Sequence, residues 1–80
     1  MSQTLHSPRH DALRKFLIAR RKAAGLTQVE LAGKLGRNQS YVTNIERGQR
    51  RVDIVELLDL AGAIGFDPQD ALRAAQRGRR

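Results

Sequence analysis

The stretch QVELAGKLGRNQSYVTNIER, residues 28–47, decides how this chain is expected to fold. Its apolar residues recur every three or four positions, which predicts two short helices at about 28–35 and 39–47. Gly36 stands between them as the expected helix stop, and Ala32 is small enough to let the two helices cross closely. The stretch is therefore interpreted as a helix-turn-helix.

The second helix of this motif has a polar face opposite its two large apolar residues, Val42 and Ile45. At about 100° per residue, the side chains on that face are short and hydrogen-bonding. They are Gln39, Ser40, Thr43, Asn44 and, at the end of the helix, Arg47. Glutamine pairs bidentately with adenine in the major groove, and short hydrogen-bonding side chains can satisfy other base edges. The side chains predicted to read the bases of double-stranded DNA are therefore Gln39, Ser40, Thr43 and Asn44. The alternative is an ordinary solvated face, which the arginines at 47, 50 and 51 disfavour.

Three further helices and no strand are expected from the same periodicity, which predicts an all-α fold, a compact five-helix bundle. Ser7 followed by Pro8 is a typical start for the first helix. The last two helices are expected at about 54–64 and 68–76, and Asp53 is predicted to cap the earlier of them. Within that helix, the residues predicted to face the core are Ile54, Leu57, Leu58, Ala61 and Ile64.

The length of 80 residues allows a single domain, predicted to cover 8–76. A flexible N-terminal tail is expected at 1–7 and a basic C-terminal tail at 77–80. The formal net charge is +7, and residues 1–51 carry eleven basic and three acidic side chains. This charge favours an anionic partner that meets the first two thirds of the chain. No apolar run approaches the length of a membrane span, so a cytoplasmic protein is expected.

The sequence offers little for catalysis or metal binding. Without cysteine, thiolate zinc sites and thiol nucleophiles are excluded. His6 and His10 stand four positions apart, but Pro8 lies between them and places His6 outside the first helix. No metal site, cofactor or enzyme activity is therefore expected.

Several short motifs of the chain resemble the XRE family, the helix-turn-helix domains of Cro and phage-repressor type. The matching segments are Leu26-Thr27-Gln28, Leu31-Ala32, Leu35-Gly36, Asn38-Gln39-Ser40-Tyr41-Val42 and Ile45-Glu46-Arg47-Gly48. The resemblance implies a lambda-repressor-like bundle of four or five helices whose third helix enters the major groove of DNA.

The resemblance also implies individual roles. Gln28 would hold a phosphate and brace Gln39 against an adenine, while Ser40 and Asn44 match further base-reading or groove-lining positions. The residues that match phosphate or additional base contacts are Arg47 and the loop Gln49-Arg50-Arg51, of which the three arginines are predicted at phosphates. A salt bridge between Arg21 and Glu46 is implied as a structural feature.

Two positions are left open by the sequence. Arg37 replaces an apolar residue of the family pattern, and it is interpreted either as a phosphate contact or as a solvent-exposed side chain. Tyr41 falls at the boundary of the core face, where a ring over the domain edge with its hydroxyl in water is favoured over a phosphate contact.

A homodimer on a two-fold operator is expected, because one such module buries only about 600 to 1,000 Å² on DNA. The residues predicted to form the dimer interface are Leu60, Phe66, Leu72 and Ala75. The expected function is a sequence-specific transcriptional regulator without a small-molecule effector. The alternative is an antitoxin or accessory module that chiefly binds another protein, with DNA binding secondary.

Overall fold

The computed structural model describes residues 7–78, and within this range the chain forms five helices and no strand. The helices are α1 (Pro8–Ala23), α2 (Gln28–Leu35), α3 (Gln39–Glu46), α4 (Ile54–Ile64) and α5 (Pro68–Arg77). The all-α five-helix prediction is confirmed. Helix α3 ends one residue earlier than predicted, and α5 runs one residue further. His6, most of the expected N-terminal tail and the last two residues lie outside the described range.

The helix boundaries follow from local capping chemistry. The Oγ atom of Ser7 accepts the backbone N–H of His10 at 3.0 Å and so starts α1. Thr27 and Asp53 begin α2 and α4, each as half of a capping box with the glutamate three residues later. Gly36 ends α2 with φ +69°, a left-handed conformation that a residue with a Cβ atom adopts only at a cost.

The core is built where the short helices α2 and α3 cross between α1 and α4. Leu31 of α2 and Val42 of α3 are the largest fully buried side chains of the described residues. At the other end of the core, the rings of Phe16 and Phe66 meet edge to face with centroids 5.2 Å apart. This packing fixes the angle at which α3 lies across the domain.

Helix α4 presents a different face to the core from the predicted one. Leu57, Leu60 and Ala61 are buried, whereas Ile54 is 63% exposed and Leu58 is 54% exposed. The predicted set of core-facing residues and the observed set both contain Leu57 and Ala61 at helical spacing, so periodicity alone does not choose between the two faces of the helix. The position of α2 against α4 selects the stripe that includes Leu60.

The predicted dimer interface is wrong at two of its four positions. Leu60 is 2% exposed and Phe66 is 8% exposed, because both belong to the core of the single chain. Leu72 is 49% exposed on α5, and Ala75 is partly buried nearby. Only these two remain accessible for contact with a second subunit.

The end of α5 closes onto the start of α1. A Cβ atom placed on Gly78 would lie 2.6 Å from the carbonyl oxygen of Pro8 and 2.7 Å from the Cβ atom of Ala12. Only glycine fits there without a shift of the backbone. Across residues 7–78, none of the helices has both the length and the apolar character needed to cross a membrane.

Candidate nucleic-acid interface

The outer face of α3 carries the four side chains predicted to read bases. Gln39 and Ser40 are exposed in its first turn, and Thr43 and Asn44 are half-buried one turn later. The hydroxyl of Ser40 donates a hydrogen bond to Oδ1 of Asn38 at 2.6 Å. That bond uses the hydroxyl proton and leaves the lone pairs of Ser40 to accept.

Gln28 connects this face to the interior through three hydrogen bonds. Its Nε2 donates to Oε1 of Glu46 at 2.9 Å. Its Oε1 accepts from Oγ1 of Thr43 at 2.9 Å and from Nε2 of Gln39 at 3.3 Å. The amide nitrogen of Gln39 is therefore turned toward Gln28, and its second N–H and its carbonyl oxygen remain for another partner.

The ion pair predicted between Arg21 and Glu46 is present and buried. Arg21 Nε lies 2.7 Å from Oε2 of Glu46, and Nη2 lies 3.1 Å from Oε1. Nη1 of the same guanidinium donates to the carbonyl oxygen of Leu26 at 2.8 Å. This two-point geometry fixes the carboxylate, which in turn fixes Gln28. An unbroken set of hydrogen bonds thus runs from α1 to Gln39 and Thr43 on the outer face.

Arg14 also supports α3, and sequence reasoning missed it. Its Nη1 donates to the carbonyl oxygen of Glu46 at 2.7 Å, at the end of α3 where backbone carbonyls lack helical partners. Its Nε lies 3.7 Å from Oδ1 of Asp11. Arg14 and Arg21 are seven residues apart, two helical turns, so they share one side of α1. That spacing was the available signal.

A second cluster lies beside the first turn of α3. It consists of Arg37, Tyr41, Arg50 and Glu56, and is called the Tyr41 cluster below. The guanidinium carbons of Arg37 and Arg50 lie 4.2 Å and 4.9 Å from the centroid of the Tyr41 ring. Oε2 of Glu56 contacts Arg50 and lies 3.9 Å from Nη2 of Arg37. Two of the arginines expected at phosphates therefore have a carboxylate beside them.

Tyr41 differs from the expectation of a ring at the domain edge. The residue is only 9% exposed and belongs to the core cluster. Burial raises the pKa of its phenol above the ordinary 10.0, and the negative charge of Glu56 adds to this effect. The two guanidinium groups act in the opposite direction on that pKa. The uncharged side chain of Tyr41 therefore packs against both guanidinium groups.

The other residues predicted to contact phosphates differ in their exposure and in their place relative to α3. Arg47 directly follows α3, and Arg51 lies in the loop before α4; both are exposed. Arg37 is also exposed, with its guanidinium against the Tyr41 ring. Gln28 is half-buried in the network described above. The exposed cations therefore lie around both ends of α3.

Comparison with known proteins agrees with this geometry. A sequence profile of the family described as a helix-turn-helix domain matches residues 12–76. An uncharacterized HTH-type transcriptional regulator of Sinorhizobium fredii, y4dJ, is 40% identical over 45 residues, which are 56% of this chain. The aligned part spans 58% of the length of that relative.

Two solved structures share both the fold and much of the sequence. An XRE-family like protein from Pseudomonas syringae is 43% identical, with a TM-score of 0.79, over 86% of this chain and 84% of that one. The restriction-modification controller protein C.AhdI from Aeromonas hydrophila is 39% identical, with a TM-score of 0.72, over 78% and 94% of the two chains. By its sequence and its fold, the chain belongs to the helix-turn-helix domain family and is of the XRE type.

Proposed function

We propose that this protein is a DNA-binding transcriptional regulator that places α3 in the major groove and binds a two-fold operator as a homodimer. The observation that carries the proposal is the hydrogen-bonded bridge of Gln28 from the buried Glu46 to Gln39. A solvated glutamine on a helix surface needs no such support. A glutamine that must present its amide to a base edge in one orientation needs neighbouring hydrogen bonds to hold it.

The free groups of Gln39 match the edge of an adenine. One N–H of its amide is turned to Gln28, so the second N–H and the carbonyl oxygen remain to donate to N7 and accept from N6. Ser40, Thr43 and Asn44 line the same face and would contact neighbouring bases. In this proposal Thr43 also orients Gln28, because its hydroxyl donates to the same amide oxygen.

The charge distribution supports binding to the DNA backbone. Arg47 and Arg51 are exposed at the end of α3 and in the next loop, where they would contact phosphates on either side of the groove. Arg37, which lies just before α3, is also exposed and would add to the positive potential at that end of the helix. Residues 1–51, which contain all of these groups, hold eleven of the fifteen basic side chains of the chain.

A second subunit is required by the size of the module. One such domain buries about 600 to 1,000 Å² on DNA, too little to select one site in a genome. Two subunits would read half-sites about 34 Å apart. Leu72 and Ala75 on α5 are the proposed contact, since both are accessible in the single chain.

An accessory module that binds another protein is the second candidate. It is favoured by three large apolar side chains exposed on α4, which are Ile54, Val55 and Leu58. Two of the three similar proteins named above are described as a transcriptional regulator and a restriction-modification controller, which favours a regulatory role over an enzymatic one.

Selection from a random duplex library at about 150 mM salt, with sequencing of the bound pool, tests the proposal. The expected result is a palindrome whose half-sites lie about one helical turn apart. Light scattering on the purified chain is expected to give the mass of a dimer. A pool without enrichment would contradict sequence-specific binding and leave the accessory module as the better description.

A further inference from the structure

Two arginines that are predicted to contact the DNA backbone already have an anion beside them. Oε2 of Glu56 contacts Arg50 and lies 3.9 Å from Nη2 of Arg37. A carboxylate oxygen at this distance presents to a guanidinium the same chemistry as a phosphate oxygen. The two arginine side chains are 38% and 48% exposed, so DNA can reach both from outside.

Glu56 is held so that it cannot turn away from these arginines. The residue is 9% exposed, and its Oε1 accepts the backbone N–H of Asp53 at 3.0 Å. Its own backbone N–H donates to Oδ1 of Asp53 at 2.7 Å. The capping box therefore occupies one carboxylate oxygen and leaves Oε2 for the cations.

Tyr41 holds the other side of the arrangement. Its buried ring lies against both guanidinium groups, at 4.2 Å from Arg37 and 4.9 Å from Arg50. Aromatic contact and ion pairing together keep the two cations beside the first turn of α3. That turn carries Gln39 and Ser40, so the cluster lies next to the groove in the proposed complex.

We propose that Glu56 occupies the place of a DNA phosphate at Arg50 and Arg37, and so weakens binding to DNA of any sequence by about one phosphate contact per subunit. The inference rests on the proposed function. Glu56 acts through the arginines and is a positioning residue. The advantage would be less protein retained on non-specific DNA, because backbone contacts supply nearly all of that binding.

The expected size of the effect follows from counterion release. Each further phosphate contact adds about 0.9 to the magnitude of the slope of log K against log salt, so the two contacts of a bound dimer add about 1.8. If those contacts contribute nothing at 1 M salt, they strengthen the binding of the dimer about thirtyfold at about 150 mM salt. Both quantities are measured on a random-sequence duplex by fluorescence anisotropy at several salt concentrations.

Glu56→Gln is the decisive variant, because glutamine is also accepted at this place of a capping box and only the charge is removed. The matched control is Glu30→Gln. Glu30 has the same place in the capping box of α2 and makes no ion pair among residues 7–78. Both variants change the net charge equally. Glu56→Gln is expected to bind random duplex about thirtyfold more tightly than Glu30→Gln as a dimer, with the steeper salt slope.

Arg50→Gln completes a double-mutant cycle. Its cost in random-duplex affinity is expected to be about threefold or more greater in the Glu56→Gln background than in the original chain, since Arg50 gains a phosphate only when Glu56 is neutral. If circular dichroism shows that Glu56→Gln does not fold, the Arg50→Gln variant tests the inference by itself. A slope reduced by the full amount, about 1.8 for the two subunits, would show that Arg50 already held a phosphate and would overturn the inference.

The outcomes separate the two proposals. If the original chain binds the duplex and Glu56→Gln behaves as Glu30→Gln does, the role of Glu56 is overturned and the proposed function stands. If the original chain shows no salt-dependent binding to any duplex, the proposed function and the role of Glu56 are both wrong.

Discussion

The molecule holds two buried glutamates against arginines, and the surroundings give the two pairs different properties. Glu46 meets Arg21 inside the domain, where the two side chains are 8% and 10% exposed. Glu56 meets Arg50 and Arg37 at the surface, where those arginines are 38% and 48% exposed. The same kind of ion pair fixes a carboxylate inside the domain in the first case and leaves the cations accessible to solvent in the second.

The buried pair is also linked by hydrogen bonds to the outer face of α3, whereas the Tyr41 cluster shows no such link within residues 7–78. Glu46 binds Gln28, and Gln28 binds Gln39 and Thr43 on the outer face of α3. Glu56 binds its own cap, the neighbouring cations and the phenol of Tyr41, all of them beside the first turn of α3. The difference suggests that Glu46 influences which bases are read, and Glu56 how strongly any DNA is held.

The largest expected effect comes from breaking the buried pair. Glu46→Gln leaves the charge of Arg21 without its partner in the interior, and we expect a loss of about 3 kcal/mol in the free energy of unfolding. Urea denaturation followed by circular dichroism measures it. Glu30→Gln, an exposed capping glutamate, is the control and is expected to cost far less. Equal losses in the two variants would remove the distinction between the pairs.

A smaller effect is expected at Gln39, which is linked to the buried pair through Gln28 and makes the proposed contact with DNA. Gln39→Ala removes the proposed adenine contact, and we expect a loss of about 1 to 3 kcal/mol in binding to the selected site. Binding to random duplex is expected to change little, because backbone contacts remain. Anisotropy with both duplexes measures this ratio. Equal weakening on both would assign Gln39 to the backbone and contradict base reading.

The smallest expected effect is a shift in the titration of Tyr41, the single tyrosine of the chain. Its pKa is raised above 10.0 by burial and then by Glu56, so the neutral phenol favours the folded state. This contribution to stability is fully present below pH 10.0 and is lost as the pH rises through the raised pKa. Ultraviolet absorbance follows the ionisation directly.

The Glu56→Gln variant sharpens this measurement. Removal of the negative charge is expected to lower the pKa of Tyr41, because burial is then the remaining effect that raises it and the two guanidinium groups still lower it. An unchanged titration in this variant would show that Glu56 does not act on the Tyr41 ring, and would separate the phenol from the rest of the cluster.

Most of the fold could be predicted from the sequence because its signals are local. Thr27, Asp53 and Gly36 determine helix ends through their own backbone and side-chain hydrogen bonds or conformation. The pair of Arg21 and Glu46 was available from the family resemblance. Such features depend on residues that are close in sequence or belong to a known motif.

The features that could not be predicted depend on the position of one helix against another. Leu58 and Leu60 fit alternative stripes of α4 equally well until α2 packs against it. Arg50 and Glu56 are near in sequence, but their contact at Tyr41 requires the loop after α3 to fold back onto its first turn. Arg14 reaches Glu46 only because α1 and α3 are adjacent.

The close approach at Gly78 has a consequence for chain connectivity. Because Gly78 lies against Pro8, a few flexible residues would join the two positions with a small loss of loop entropy. The bundle is thus suited to circular permutation, with a new break in an exposed turn such as that at Gly65, between α4 and α5. In a circularly permuted chain, order along the polypeptide changes while the α2–α3 crossing and both glutamate sites remain intact.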